Sequence, residues 1–148
     1  MKDRDAILVE IVLDIIRAAN LLERLGGKYA QKADLSSVQQ YMILGMLFLE
    51  GDLSMGDLRE NTLVTKQAVT GLVDRLNRGG YLETYTDSRD RRITRVRLTP
   101  KGQETLQIIR PLRVLGNRKA FSVLSDEEFS QLSAILPKLI RHLKNELD

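Results

Sequence analysis

Between Gly79-Gly80 and Thr99-Pro100 the chain changes its hydrophobic period twice, and few folds permit that. Before the glycine pair, Ala68, Val69, Leu72, Val73 and Leu76 recur at the three- and four-residue steps of one helix face. After it, Tyr81 to Tyr85 read as a strand, Asp87 to Arg91 as a charged turn, and Ile93, Val96 and Leu98 lie within a second strand. Thr99-Pro100 then supplies a capping hydroxyl and a first-turn proline, and helical spacing resumes through Leu106, Ile109, Leu112 and Leu115. A β-hairpin is therefore set between helices.

The segment ahead of the hairpin narrows the architecture further. Ser36 or Ser37 can cap a helix running through Tyr41, Leu44, Leu47 and Phe48, which Gly51-Asp52 closes with a turn. Ser54 with Asp57 three residues on is a capping-box variant, and it starts a short helix through Leu58 to about Asn61. Thr65 caps the next helix, which Gly79-Gly80 ends. Helices separated by only three or four residues cannot lie antiparallel comfortably, and a crossed helix-turn-helix is the usual solution.

The flanks have a different character. From Asp5 to Leu25, Glu10, Asp14, Arg17 and Arg24 occupy one narrow stripe and nearly everything else is apolar, with Gly26-Gly27 expected to stop this helix. A helix apolar around most of its circumference must be covered on most sides. A dimerisation helix answers that need, and burial within a monomer is the alternative. At the other end Ser125 precedes Asp126, Glu127 and Glu128 and starts a helix whose Phe129, Leu132, Leu136, Leu139 and Leu143 form a seam for a partner helix. Pro111 and Pro137 fall inside the last two helices and should bend them.

Composition sets the function classes. At 148 residues, 43% of them hydrophobic, the chain is long enough for one globular core. The formal charge is only +3, but residues 59 to 97 hold nine basic against five acidic side chains, a surplus of four, which leaves the flanks at −1. Charge so concentrated points to a polyanion. With no cysteine there is no disulfide framework, thiolate zinc site or thiol redox sensor, which suits a reducing cytosol and a cytoplasmic protein. The charges within Ala6 to Leu25 speak against a signal peptide or a membrane span.

Two places could carry function. Thr65, Lys66, Gln67 and Thr70 lie opposite the apolar face of their helix, and these types suit a major groove: Gln can bond an adenine edge, Lys can reach guanine or phosphate, and Thr offers a hydroxyl and a methyl. A solvated face would look the same. The hairpin tip, Asp87-Ser88-Arg89-Asp90-Arg91-Arg92, concentrates arginines that would repel one another without an anion nearby. Asp87 and Asp90 can fix its shape, with Arg92 paired to an aspartate, Arg89 or Arg91 at the tip for a minor groove, and Arg95 and Arg97 nearer the phosphates. Arg75 completes the expected DNA-contacting set. A charge-balanced surface hairpin is the plainer reading.

In order and motif the chain resembles the multiple-antibiotic-resistance regulator (MarR) family of bacterial winged-helix transcription factors over essentially its whole length. The resemblance is carried by Leu58, the helix from Val64 to Leu76, the wing Asp87-x-Arg89-Asp90-x-Arg92, and Leu98-Thr99-Pro100-Lys101-Gly102. It implies a mainly α fold with a small β-hairpin wing, a winged helix-turn-helix lobe over about 36–100 and dimerisation helices at 1–30 and 101–148. It also implies a homodimer whose first, fifth and sixth helices interleave. The expected partner is double-stranded DNA with a pseudo-palindromic operator, read by a ligand-responsive dimeric repressor. No cofactor is expected, and a small aromatic effector would bind between the dimer helices and the reading lobe. The turn between the paired helices often carries a glycine in the family, and here Thr62-Leu63 stands in its place.

Two rival classes remain. A winged helix can serve as a protein-interaction module without specific DNA binding, since one fold hosts unrelated tasks. An enzyme would need more than the sequence offers: His142 is the sole histidine, near the end of the last helix, and no metal-ligand cluster, nucleophile motif or phosphate-cradling glycine loop accompanies it.

Overall fold

The computed structural model describes residues 3–62 and 64–147. Two compact units divide it, Met1–Arg113 and Val114–Asp148. In chain order the elements are α1 (Arg4–Gln31), α2 (Val38–Glu50), β1 (Leu53–Ser54), α3 (Met55–Asn61), α4 (Lys66–Arg78), β2 (Leu82–Thr86), β3 (Thr94–Leu98), α5 (Pro100–Ala120) and α6 (Asp126–Leu147).

Helix α1 overruns its expected end. Gly26-Gly27 does not stop it, because Gly26 is buried against α2, where an added Cβ would sit 2.8 Å from Val38 Cγ2. The glycine provides close approach, at a helix-propensity cost of about 1 kcal/mol. The chain turns later, at Asp34, whose φ of 59° is left-handed. There the Leu35 N–H donates to the Ala30 carbonyl and the Asp34 N–H to the Gln31 carbonyl, with Ala30 and Leu35 both buried beneath the turn. That pattern closes many helices, usually with glycine where Asp34 stands.

The remaining caps follow local chemistry. Ser37 rather than Ser36 caps α2, accepting the Gln40 N–H, while the Ser36 N–H donates to Gln40 Oε1. Ser54 and Asp57 form the full capping box of α3. Gly80 takes φ 77° after α4, and the Tyr81 N–H returns to the Leu76 carbonyl. In α6, the Ser125 N–H donates to Glu128 Oε2 at 2.8 Å, a further capping box. Both α5 and α6 continue through their prolines. Thr62 closes α3 with its N–H and its hydroxyl on the Leu58 carbonyl, and Leu63 lies outside the described residues.

The sheet is antiparallel in the order β1-β3-β2. Leu82 pairs with Leu98 and Thr84 with Val96, while Leu53 of β1 meets Val96 from the other side. Strand β1, two residues long, has no sequence signal of its own. Ile93 falls one residue outside β3 and is exposed, because its N–H is turned to the Asp90 carbonyl in the tip. The core gathers Leu44 and Leu47 of α2, Leu58 of α3, Val69 to Leu76 of α4, Leu82 and Val96 of the sheet, and Leu106 and Ile109 of α5.

The feet of the hairpin are closed on one another. The Thr99 hydroxyl donates to the Gly80 carbonyl at 2.6 Å and accepts the Gly102 N–H, and Lys101 Nζ reaches the Gly79 carbonyl at 2.6 Å over the Tyr81 ring. Gly102 is packed so tightly that a Cβ there would lie 2.0 Å from the Tyr81 carbonyl oxygen. The Thr-Pro-Lys-Gly run is thus the clasp joining the end of α4 to the start of α5. By contrast α1 is exposed from Asp3 to Arg24, and α6 has no buried residue.

Candidate nucleic-acid interface

Helix α4 opens on Thr65, whose hydroxyl accepts the Ala68 N–H at 3.2 Å. Val69, Leu72, Val73 and Leu76 anchor the helix in the core, which leaves Lys66 and Gln67 exposed on its opposite side at the first turn. Thr70 is half-buried, with its hydroxyl donating to the Lys66 carbonyl at 3.2 Å and accepting from Arg59 Nη2 at 3.3 Å. Arg75 is exposed further along, its Nε on the Gly71 carbonyl, and it lines a cleft of about 420 Å³ with Ser36, Ser37 and Gln39 at the start of α2. The first turn of α4 therefore presents unspent polar groups from a rigid base.

The wing sorts its charges into braces and free ends. Asp87 Oδ1 accepts the backbone N–H groups of Asp90 at 3.0 Å and Arg89 at 2.8 Å, and these bonds hold the Asp87 carboxyl below its ordinary value. Arg92 grips Asp90 with both ends of its fork, Nε to Oδ1 at 3.1 Å and Nη2 to Oδ2 at 3.0 Å, which lowers the Asp90 carboxyl in the same way. Arg95 turns inward, Nη2 donating to the Asp52 carbonyl at 3.0 Å and Nη1 lying 3.5 Å from Asp87. Arg97 lies over the Tyr85 ring at 4.0 Å, with Glu83 3.4 Å away. Arg89 and Arg91 are exposed, and among the described residues neither guanidinium makes a hydrogen bond or ion pair.

Arg95 and Arg97, expected nearer the phosphates, have acidic or carbonyl partners at the hairpin base, which they brace. Arg92 pairs with an aspartate as expected, and Arg89 and Arg91, the two arginines considered for the tip, are both exposed. Two residues were missed. Asp52, read only as part of a turn, holds the wing through Tyr85 and Arg95. Arg59, read only as part of the charge surplus, crosses from α3 to α4 with its Nε buried and, among the described residues, unpartnered. Neither has a sequence signal, because each acts on a residue distant in the chain.

Nitrogen donors and an amide at one helix end, with free guanidiniums on an adjacent arm, suit base edges and phosphates. The MarR family model matches residues 34–93, the stretch from the start of the helix-turn-helix lobe through the wing tip. A relative in Bacillus subtilis, the HTH-type transcriptional regulator YkoM, is 32% identical over 108 residues, 73% of this chain and 70% of that protein. This chain belongs to the MarR family. Among other relatives, the transcriptional activatory protein BadR of Rhodopseudomonas palustris is 29% identical over 88% of this chain and 75% of its own. Sco3205 of Streptomyces coelicolor, a MarR regulator solved in complex with DNA, superposes with a TM-score of 0.84 at 25% identity, covering 97% of this chain and 91% of that one.

Membership settles the class. The chain is a DNA-binding transcription regulator with a winged helix-turn-helix, and the protein-interaction module is not supported. No helix among the described residues is long and apolar enough to cross a membrane.

Proposed function

We propose that this MarR protein works in the cytoplasm as a homodimeric, ligand-responsive repressor of a pseudo-palindromic operator, without enzymatic activity. Residues 1–30 and 101–148 supply the dimer helices and about 36–100 the reading lobe. The observation that carries the dimer is α1: ten large apolar side chains between Ile7 and Leu22 are each at least 40% exposed, far more than a soluble surface tolerates. A second copy offers the same face and closes a symmetric interface.

In this reading two α4 helices enter successive major grooves roughly 34 Å apart. Thr65, Lys66, Gln67 and Thr70 meet bases or nearby phosphates, Arg75 meets backbone, and Arg89 and Arg91 enter a flanking minor groove. Arg92 and Arg95 serve the interface by shaping the wing. Repression is favoured by relatives such as MdtR of Bacillus subtilis, named as a repressor and 27% identical over 94% of this chain.

For the effector, a cavity of about 190 Å³ between α2 and α5 is lined by Tyr41, Phe48 and Leu106 together with the polar Gln107 and Arg110. Those walls with one cation suit a small aromatic anion. Selection of bound duplexes from a random pool tests the whole reading. A recovered palindrome with half-sites one helical turn apart is expected, and enrichment of no inverted repeat overturns the dimeric mode.

A further inference from the structure

We infer that Thr70 reads the 5-methyl group of a thymine, and that Arg59 is a positioning residue that decides which end of the threonine faces the base. This rests on the proposed reading of α4 as the groove helix. A threonine hydroxyl has one hydrogen to give. Here that hydrogen goes to the Lys66 carbonyl at 3.2 Å, and the oxygen receives Arg59 Nη2 at 3.3 Å. Guanine N7 and O6, adenine N7 and thymine O4 are all acceptors, so Thr70 has no hydrogen left for them. The oxygen keeps one lone pair, on the branch that Lys66 and Arg59 hold, while the methyl lies on the other branch, and a β-branched side chain in a helix holds its χ1 firmly.

Arg59 reaches from α3 to α4 to make this contact. Its Nε is buried without a partner among the described residues, and one of its remaining nitrogens is spent on the Thr70 oxygen. Lys66 and Gln67, on the same exposed side of α4, are left to read polar edges.

The test uses the operator recovered by selection, with each thymine replaced in turn by deoxyuridine, which removes the methyl and keeps base pairing. One replacement per half-site is expected to weaken wild-type binding about fourfold, the worth of one buried methyl. Thr70→Ser should bind both forms alike, Thr70→Val should keep the thymine-over-uracil ratio, and Arg59→Met should lower it. A ratio that survives Thr70→Ser assigns the methyl contact elsewhere and overturns the inference. If no uracil matters while Gln67→Ala still alters base preference, the inference falls alone. If Gln67→Ala also leaves preference unchanged, the groove-helix reading falls with it.

Discussion

Tyr85 donates its hydroxyl hydrogen to the Asp52 carboxylate at 2.6 Å, and so ties strand β2 to the turn that follows α2. The Asp52 carbonyl receives Arg95 and its carboxylate lies 3.9 Å from Arg97, so one turn residue holds both strands of the wing. Tyr85→Phe removes one of these bonds at a partly exposed site, and a loss of about 0.5–1.5 kcal/mol is expected by urea unfolding. DNA affinity should fall as well, since a looser wing must be ordered on binding. A variant with unchanged affinity and faster amide exchange in the wing would separate rigidity from binding.

The free and braced arginines should behave differently toward salt. Arg89→Ala and Arg91→Ala each remove an unpaired cation, and the slope of log affinity against log salt should fall by about 0.9 for each phosphate that is no longer neutralised. Wild type contacting about six to ten phosphates should lose roughly 10³ to 10⁵ in affinity between 50 and 200 mM salt. Gln67→Ala should shift sequence preference more than the slope. Equal, sequence-blind losses from all three changes would contradict this division of labour.

Acid should loosen the wing. The Asp87 and Asp90 carboxyls are held below their ordinary value of 3.8 by backbone N–H groups and by Arg92, respectively. Groups shifted downward stabilise the fold above the unfolded value, and that stabilisation is lost as pH falls through the lowered folded value. These two groups should therefore contribute no pH dependence between pH 5 and 8 and a decline below about pH 4. Asp87→Asn with Asp90→Asn should flatten that decline in urea midpoints measured across pH, and an unchanged acid limb counts against the mechanism.

Gly102→Ala is expected to be among the most damaging small substitutions, since its Cβ has backbone and not a flexible side chain 2.0 Å away. Overpacking usually costs about 1–3 kcal/mol, and this one should reach or exceed the upper end. Gly27→Ala, where nothing among the described residues lies within 4 Å of the added carbon, is the control and should raise helix stability by up to about 1 kcal/mol. Thermal melts compare the pair directly.

A charged residue on the apolar face of α1, such as Ile11→Glu, should shift sedimentation toward monomer and weaken operator binding together. Dimeric sedimentation unaffected by that change would place the interface elsewhere.

The fold was legible where a signal is local. Ser54 with Asp57, Thr65, Gly79-Gly80 and Thr99-Pro100 marked their boundaries because a cap or a left-handed turn is decided by a few neighbouring residues. Gly26 was misread because a glycine that ends a helix and one that lets another helix approach look alike until Val38 is placed. The two-residue β1 exists only because β3 is there to pair with it. In the site, the wing's internal Asp90–Arg92 pair was readable from spacing, whereas Arg95 turned inward because Asp52, 43 residues earlier in the chain, supplies a carbonyl.

The clasp at the hairpin's feet also bears on how such a protein can change over generations. Thr99, Lys101 and Gly102 fasten the two ends of the wing onto Gly79, Gly80 and Tyr81, so the core is insulated from what lies beyond Thr86 and Thr94. With Asp87 and Asp90 kept as braces, the exposed Ser88, Arg89 and Arg91 between those strands can be exchanged without disturbing that clasp. The wing tip is thus an interchangeable part, where a lineage can acquire a new flanking-sequence preference in few steps.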